Sequence, residues 1–456
     1  MELRKYIEKN KGRIIDNLKE ILAIPSISTL PNHKDDIRKC AEWLEKYMKD
    51  IGLDNVQSFK TLGNPVVYGE KIVSENVPTV LVYGHYDVQP AEPINEWTNP
   101  PFEPTIKDNK IFSRGSADDK GQFMIHLAAA EYYLKNEKKI PINIKFFIEG
   151  EEEVGSSNLP KFITDHKDLL KADYALISDS HMLAENKPAI DYGLRGLAYF
   201  EIEVTGPKQD VHSGLYGGAI QNPINALALI ISKLKDENGK ILIPGIYDKV
   251  RKVGKEEREM IRQHLTEEDV KKETGVKQTY GEEKYHLAER VGARPSLDIH
   301  GIWGGFAGEG AKTIIPSKAG CKVSIRIVPD LKVKEVEEMF LSYIDNITPN
   351  GVEVKVKLLN GGEAYLLDFR KPIMQGASKV LKEVFGNEPV FLLSGGSIPI
   401  TEVIKTNLGI DTVLMGFGLP DDNLHGPNEK INLNQIFKGI EASIKYMAEI
   451  GKGKNR

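Results

Sequence analysis

TVLVYG (79–84), FMIHLAAAEYYL (123–134) and INIKFFI (142–148) follow one another in this chain, and their alternation decides the fold. The first and third are short apolar runs rich in β-branched and aromatic residues, the pattern of buried strands. The second carries its apolar residues at helical spacing. YALIS (174–178) adds a further strand. Strands alternating with helices predict an α/β fold built on a mostly parallel, doubly wound sheet. Two amphipathic helices precede this core. One covers 2–24, with Tyr6, Ile7, Ile14, Leu18, Ile21 and Leu22 on one face, and ends at Pro25. The other covers about 35–51 and stops at Gly52. The same style returns after residue 363, with a helix at 371–385, VFLLSGG, a strand TVLMGFG (412–418) and a terminal helix at 433–450.

Between these halves the rhythm changes. AYFEIEVTG (198–206), PSLDIHGI (295–302), GCKVSIRIVP (320–329) and VEVKVKLL (352–359) read as strands; the first and last alternate apolar and polar residues. NPINALALIISKL (222–234) and KVKEVEEMFLSYI (332–344) read as helices. The order β-α-β-β-α-β is the ferredoxin-like signature. A Lys- and Glu-rich stretch at 237–294 interrupts it as a solvated helical excursion. The expected organisation is therefore one domain in two parts, 1–193 and 363–456, with a second, ferredoxin-like domain inserted at 194–362.

The chain has 456 residues, 61 basic against 66 acidic, for a net charge of −5, which disfavours a general nucleic-acid binder. Its two cysteines, Cys40 and Cys321, exclude a disulfide framework and a cysteine-based zinc site. The charged start has no apolar core of a signal peptide, and no run approaches the roughly 20 apolar residues of a membrane span. A soluble, cytoplasmic protein is expected, with no membrane partner.

Histidines and carboxylates collect just past the ends of the expected strands: His85 and Asp87 in GHYD, Asp118 and Asp119 in GSADDKG, Glu151 to Glu153 after INIKFFI, Asp179 after YALIS, and His425 after TVLMGFG. Ligands of open α/β sheets bind at this carboxyl edge. Each residue alone has a plain structural reading, as a packed histidine, a solvated acidic turn or a helix cap. Together, so many carboxylates at one edge repel one another unless a dication compensates them. Imidazoles mixed with carboxylates suit zinc better than magnesium.

GHYDVQP, SADDKG, EGEEEVGS, LISD and LHGPNEK, in this order, resemble the motif blocks of a dinuclear zinc peptidase family. It includes carnosine-type and other dipeptidases, glutamate-releasing carboxypeptidases, aminoacylases and succinyl-diaminopimelate desuccinylase. DYGLRG, VHSGLYGG, KTIIPSKA, IRIVPD and GGSIP resemble the dipeptidase branch. The resemblance implies two divalent metals, zinc with manganese or cobalt as alternatives. Asp118 would bridge them, His85 and Asp179 would complete one, and Glu153 and His425 the other. Asp87 would orient His85, and Glu152 would be the general base toward a water held between the metals. His212 would polarise the scissile carbonyl, in dimeric relatives from the partner subunit. Arg326, Thr313 and Ser397 would bind substrate. Asp179, where deacylating relatives carry Glu, favours peptide cleavage. The implied function is hydrolysis of dipeptides, or of the C-terminal residue of short peptides, by a homodimer. An N-acyl-amino-acid deacylase and a catalytically inactive metal-binding scaffold are the alternatives. Leu393 and Ser394 stand before GGSIP where several relatives carry a basic residue.

Overall fold

A computed structural model of the chain describes residues 2–137, 139–396 and 398–453. The chain divides into two compact units. The first comprises Met1–Tyr192, Leu367–Phe391 and Val403–Arg456; the second comprises Gly193–Leu366 and Leu392–Glu402.

In the first unit the sheet runs, in spatial order, through Asp54–Phe59, Val66–Lys71, Asn143–Glu149, Thr79–His85, Tyr174–Ile177, Asp411–Leu414 and Ala189–Leu194. The four strands from Asn143–Glu149 to Asp411–Leu414 pair in parallel. The strands flanking them pair antiparallel, so parallel order is confined to the centre. The central strands are mainly apolar; Asn143–Glu149 is buried at every residue, as a strand covered on both faces must be. Helix Lys120–Tyr132 is also buried at all its positions. It packs on strand Thr79–His85 and on helices Glu2–Leu22, Lys34–Ile51 and Leu433–Gly451, which explains why apolar residues lie on every side of it and its few polar ones, Lys120, Gln122, His126 and Glu131, are buried. Helix Lys34–Ile51 buries Ile37, Cys40, Ala41, Leu44, Tyr47, Met48 and Ile51, one face at helical spacing. Each large side chain among them contributes about 1.5–3 kcal/mol of burial. Gly52, at φ 99°, ends the helix by donating its N–H to the carbonyls of Lys49 and Met48.

In the second unit, strands Ser296–Gly304, Lys318–Ile327, Gly196–Thr205 and Glu353–Gly362 form, in that spatial order, an antiparallel sheet. Helices Pro223–Ser232 and Val333–Ile347 pack on it. Ala198, Phe200, Ile202 and Val204 alternate into the core with Cys321, Val323, Ile325 and Ile327. The 237–294 stretch carries the short helices Lys255–Ile261, Glu267–Thr274 and Leu287–Gly292. Residues 392–402, which the sequence reading runs together with the first unit, group with the second. The local reasons are that Arg195 Nε donates to the Gly395 carbonyl, at 3.2 Å, and its backbone N–H to that of Ser394. Among the described residues, no helix is long and apolar enough to cross a membrane. Both cysteines are buried and free.

Candidate active site

Strand register builds the site. His85 and Glu149 end neighbouring parallel strands and stand opposite each other. Gly84 lets the first strand approach the next segment: a Cβ there would lie 2.6 Å from the Cβ of Phe123 and 2.9 Å from Oδ2 of Asp119. His85 is wholly buried. Its Nδ1 lies 3.1 Å from the carbonyl of Asp87, which can only accept, so Nδ1 carries a proton and Nε2 is the nitrogen turned toward the other carboxylates. The Asp87 carboxylate accepts the backbone N–H groups of Glu152 and Glu153, at 3.2 and 3.1 Å, and so anchors the acidic triplet beside His85.

His85 Nε2 faces Asp118 Oδ1 at 3.0 Å and Asp179 Oδ2 at 3.9 Å. It is buried and lacks a hydrogen-bond partner of acceptable geometry. Asp118 uses its other oxygen toward His425 Nε2, at 2.9 Å, and His425 Nε2 lies 3.4 Å from Glu153 Oε2. Gln89 Nε2 donates to the same Glu153 oxygen at 2.7 Å. Two trios result, His85–Asp118–Asp179 and Asp118–Glu153–His425. Within each, the donor atoms lie within 4.8 Å of one another, and Asp118 belongs to both. The Asp118–Asp119 peptide is cis. Asp119 occupies the cap position of helix Lys120–Tyr132 without capping it; its carboxylate accepts the N–H of His85 instead, at 3.2 Å.

Electrostatics show what the arrangement lacks. Burial, then the charge of Asp118, pushes Glu153 up to about 8 and Asp179 up to about 7. Burial also raises Glu152. Burial alone would lower His85, but Asp118 and Asp87 overcome it and lift the imidazole well above its ordinary value. The hydrogen bond to Asp118 raises His425 to about 9. Burial opposes ionisation of Asp118, yet the hydrogen bond from His425 and the nearby His85 imidazole hold it below its ordinary value. In the protein alone, protons supply the positive charge that this cluster requires. Once His85 gives up its Nε2 proton, the lone pair that faces these carboxylates suits a metal cation better. The residues therefore fit two divalent ions sharing Asp118.

The remaining expected residues belong to the second unit or lie outside the described residues. His212 and Thr313 are exposed in the second unit, where the N–H of Ser213 bonds to the carbonyl of Thr313. Arg326 is half-buried on strand Lys318–Ile327. Ser397 lies outside the described residues. His126 is packed between Ser443 and Ser178. Sequence reasoning missed Glu149, whose carboxyl is buried against Tyr83 and Ser156 and pushed up to about 8 by that burial, then by Asp87. It also missed Arg114 and Glu429, a buried ion pair. The available signal was position: Glu429 ends the LHGPNE run that holds His425, and Arg114 opens the approach to SADDKG.

Residues 81–449 match the model of the peptidase family M20/M25/M40. The chain is 34% identical over 469 aligned positions to the Cys-Gly metallodipeptidase DUG1 of Candida albicans, with 98% of this chain and 96% of that protein covered. The crystal structure of human carnosine dipeptidase 1 matches with a TM-score of 0.83 and 31% identity, covering 99% of this chain and 98% of that one. That of Sso-CP2, an M20 family metallo-carboxypeptidase from Sulfolobus solfataricus, matches with a TM-score of 0.85 and 33% identity, covering 96% and 99%.

Proposed function

The chain belongs to peptidase family M20/M25/M40, and from that premise we propose that it hydrolyses the peptide bond of free dipeptides at a two-metal site. The observation that carries this reading is the pair of trios joined by one carboxylate, Asp118, beside the unshared Glu152. The similarity to a Cys-Gly metallodipeptidase and to a carnosine dipeptidase supports a dipeptide substrate. Similarity to a metallo-carboxypeptidase supports removal of the C-terminal residue from short peptides as a second reading.

In this proposal His85, Asp179 and Asp118 hold one ion, and Asp118, Glu153 and His425 hold the other. Zinc suits the mixed imidazole and carboxylate donors, and manganese or cobalt could replace it. When bound, the ions supply Lewis-acid chemistry, acidifying a water and polarising the scissile carbonyl. The protein groups do the rest. Asp87 fixes the tautomer of His85 and the backbone of the acidic triplet. Glu152 takes the proton of the attacking water and returns it to the leaving amine. Burial raises its carboxyl, the direction needed by a base working near neutral pH.

Further roles rest on the family resemblance. His212 steadies the carbonyl oxygen, from the partner copy in a homodimer. Arg326, Thr313 and Ser397 grip the substrate, Arg326 by its terminal carboxylate. Exposed Leu215, Tyr216, Ile302, Trp303 and Phe306 on the second unit support burial against a second copy. Two buried free thiols suit a reducing, cytoplasmic compartment.

The test is a dipeptide library run on the metal-reconstituted enzyme, with amidated dipeptides and N-acyl amino acids alongside. Free dipeptides should be cleaved at least about thirtyfold better than amidated ones, the low end of the roughly 2–5 kcal/mol lost when one member of a desolvated charge pair is removed. Arg326→Met should lose that factor on free dipeptides and little on amidated ones. Preference for acyl amino acids would favour a deacylase, and no turnover at all an inactive scaffold.

A further inference from the structure

Beneath the two trios, Arg114 and Glu429 are 1% and 0% exposed. One Glu429 oxygen accepts the N–H groups of Ala117 and Asp118, at 2.9 and 3.2 Å. The other accepts the N–H of Gly115 at 2.9 Å and Nη1 of Arg114 at 2.8 Å. The Glu429 carbonyl accepts the N–H of Ser113. Nη2 of Arg114 then donates to two carbonyls, of Pro90 at 3.0 Å and of His425 at 3.1 Å. Three segments thus meet at one ion pair: the one that follows Asp87, the one that ends in Asp118, and the one that carries His425. His425 itself sits at φ 60°, a conformation that a non-glycine residue holds only when its surroundings require it.

We propose that Arg114 and Glu429 are positioning residues that hold the backbone of Asp118 and His425 in register and so set the metal affinity of both halves of the site. The inference rests on the preceding reading that Asp118 is shared between two ions. A carboxylate that ligates two ions transmits any shift of its backbone to both, and a planar guanidinium reaches two carbonyls and a carboxylate from two separate, fixed nitrogens where an ammonium offers a single one. Outer-shell partners of this kind govern affinity by about 10–100-fold.

The test is equilibrium dialysis of the full-length protein against Zn2+, with circular dichroism to verify the fold. Glu429→Gln keeps the shape but places an amide donor among N–H donors. It should weaken both ions together by about 10–100-fold. Arg114→Lys keeps the charge and loses the fork, so it should weaken the ion of the Glu153–His425 half more than the other. Glu131→Gln is the control. Glu131 is equally buried and paired with Arg13, but it ties helix to helix rather than site to site. It should lower the melting temperature and leave both affinities unchanged. Should Glu429→Gln not fold, the bias in Arg114→Lys decides. Folded Glu429→Gln and Arg114→Lys proteins with wild-type affinity for both ions would overturn the inference alone. So would a Glu131→Gln protein that loses affinity as much as they do. A wild type that binds no dication would overturn the two-metal reading and the inference with it.

Discussion

The two trios share Asp118 and differ in how everything else is held. His85 ends a central strand and its side chain is fully buried, while the His425 side chain is 55% exposed on a loop. The first trio takes its geometry from sheet register, because His85 and Asp179 follow neighbouring parallel strands. The second takes its geometry from loop contacts: Gln89 on Glu153, Arg114 on the carbonyl of His425, and Asp87 on the backbone of Glu153. Sheet register changes only if the fold changes, whereas loop contacts can be altered one at a time. The first half should therefore be the firm one and the second the half that exchanges its ion.

The comparison breaks most decisively at the residue both halves share. Asp118→Ala should weaken both ions by more than the roughly 100-fold that outer-shell changes reach, while His425→Ala should empty the second half alone. Metal content after dialysis measures this; two ions retained by Asp118→Ala would mean that the halves are independent. Next comes the residue that belongs to neither half. Glu152→Gln should lower kcat at least about a hundredfold with both ions still counted, as loss of a general base does. Near-normal turnover would remove Glu152 from the chemistry. Glu153→Gln should instead release the ion of the second half.

The smallest effect is on stability. Glu153 rises to about 8 from 4.5, Asp179 to about 7 from 3.8, and His425 to about 9 from 6.5. In each case the fold binds the proton more tightly than the unfolded chain does. The stability each contributes is full below its ordinary value and is lost as pH rises through the folded one. Asp118 shifts the opposite way, but its window lies below pH 3.8. Chelated protein should therefore lose thermal stability steadily from about pH 5 to about pH 9, while metal-loaded protein should not. Glu153→Gln should remove part of the upper end of that loss, the part owed to the second half. A melting temperature of the chelated protein that climbs over this window would contradict the shifts.

Much of this was readable without coordinates, for a physical reason. A run such as TVLVYG marks its own end, and parallel strands present their ends along one edge, so His85, the 151–153 triplet and Asp179 could be put together from chain position. The alternation of AYFEIEVTG likewise announces one buried face, and Phe200, Ile202 and Val204 are buried. Strand Asp54–Phe59 was not readable, since it is exposed or half-exposed along its length and carries no alternation. Nor were Arg114 and Glu429, which lie 315 residues apart. Periodicity reports which side of an element is buried, not which charge it meets there. The departure of residues 392–402 from the unit that surrounds them in sequence has the same origin: backbone and side-chain bonds from Arg195 and its neighbours, invisible to any local pattern.

The parallel pairing of Tyr174–Ile177 with Asp411–Leu414 spans the 233 residues from 178 to 410. A ribosome adding about 5–20 residues per second leaves the first of these strands waiting roughly 10–50 s for its neighbour. Throughout that interval His85, Asp118, Glu153 and Asp179 have been synthesised and His425 and Glu429 have not. The nascent first unit thus carries an exposed sheet edge and an acidic cluster short of one ligand. The segment that completes the sheet also brings the last ligand and Glu429, the late half of the Arg114–Glu429 pair. Maturation of the site therefore waits on the synthesis of that segment.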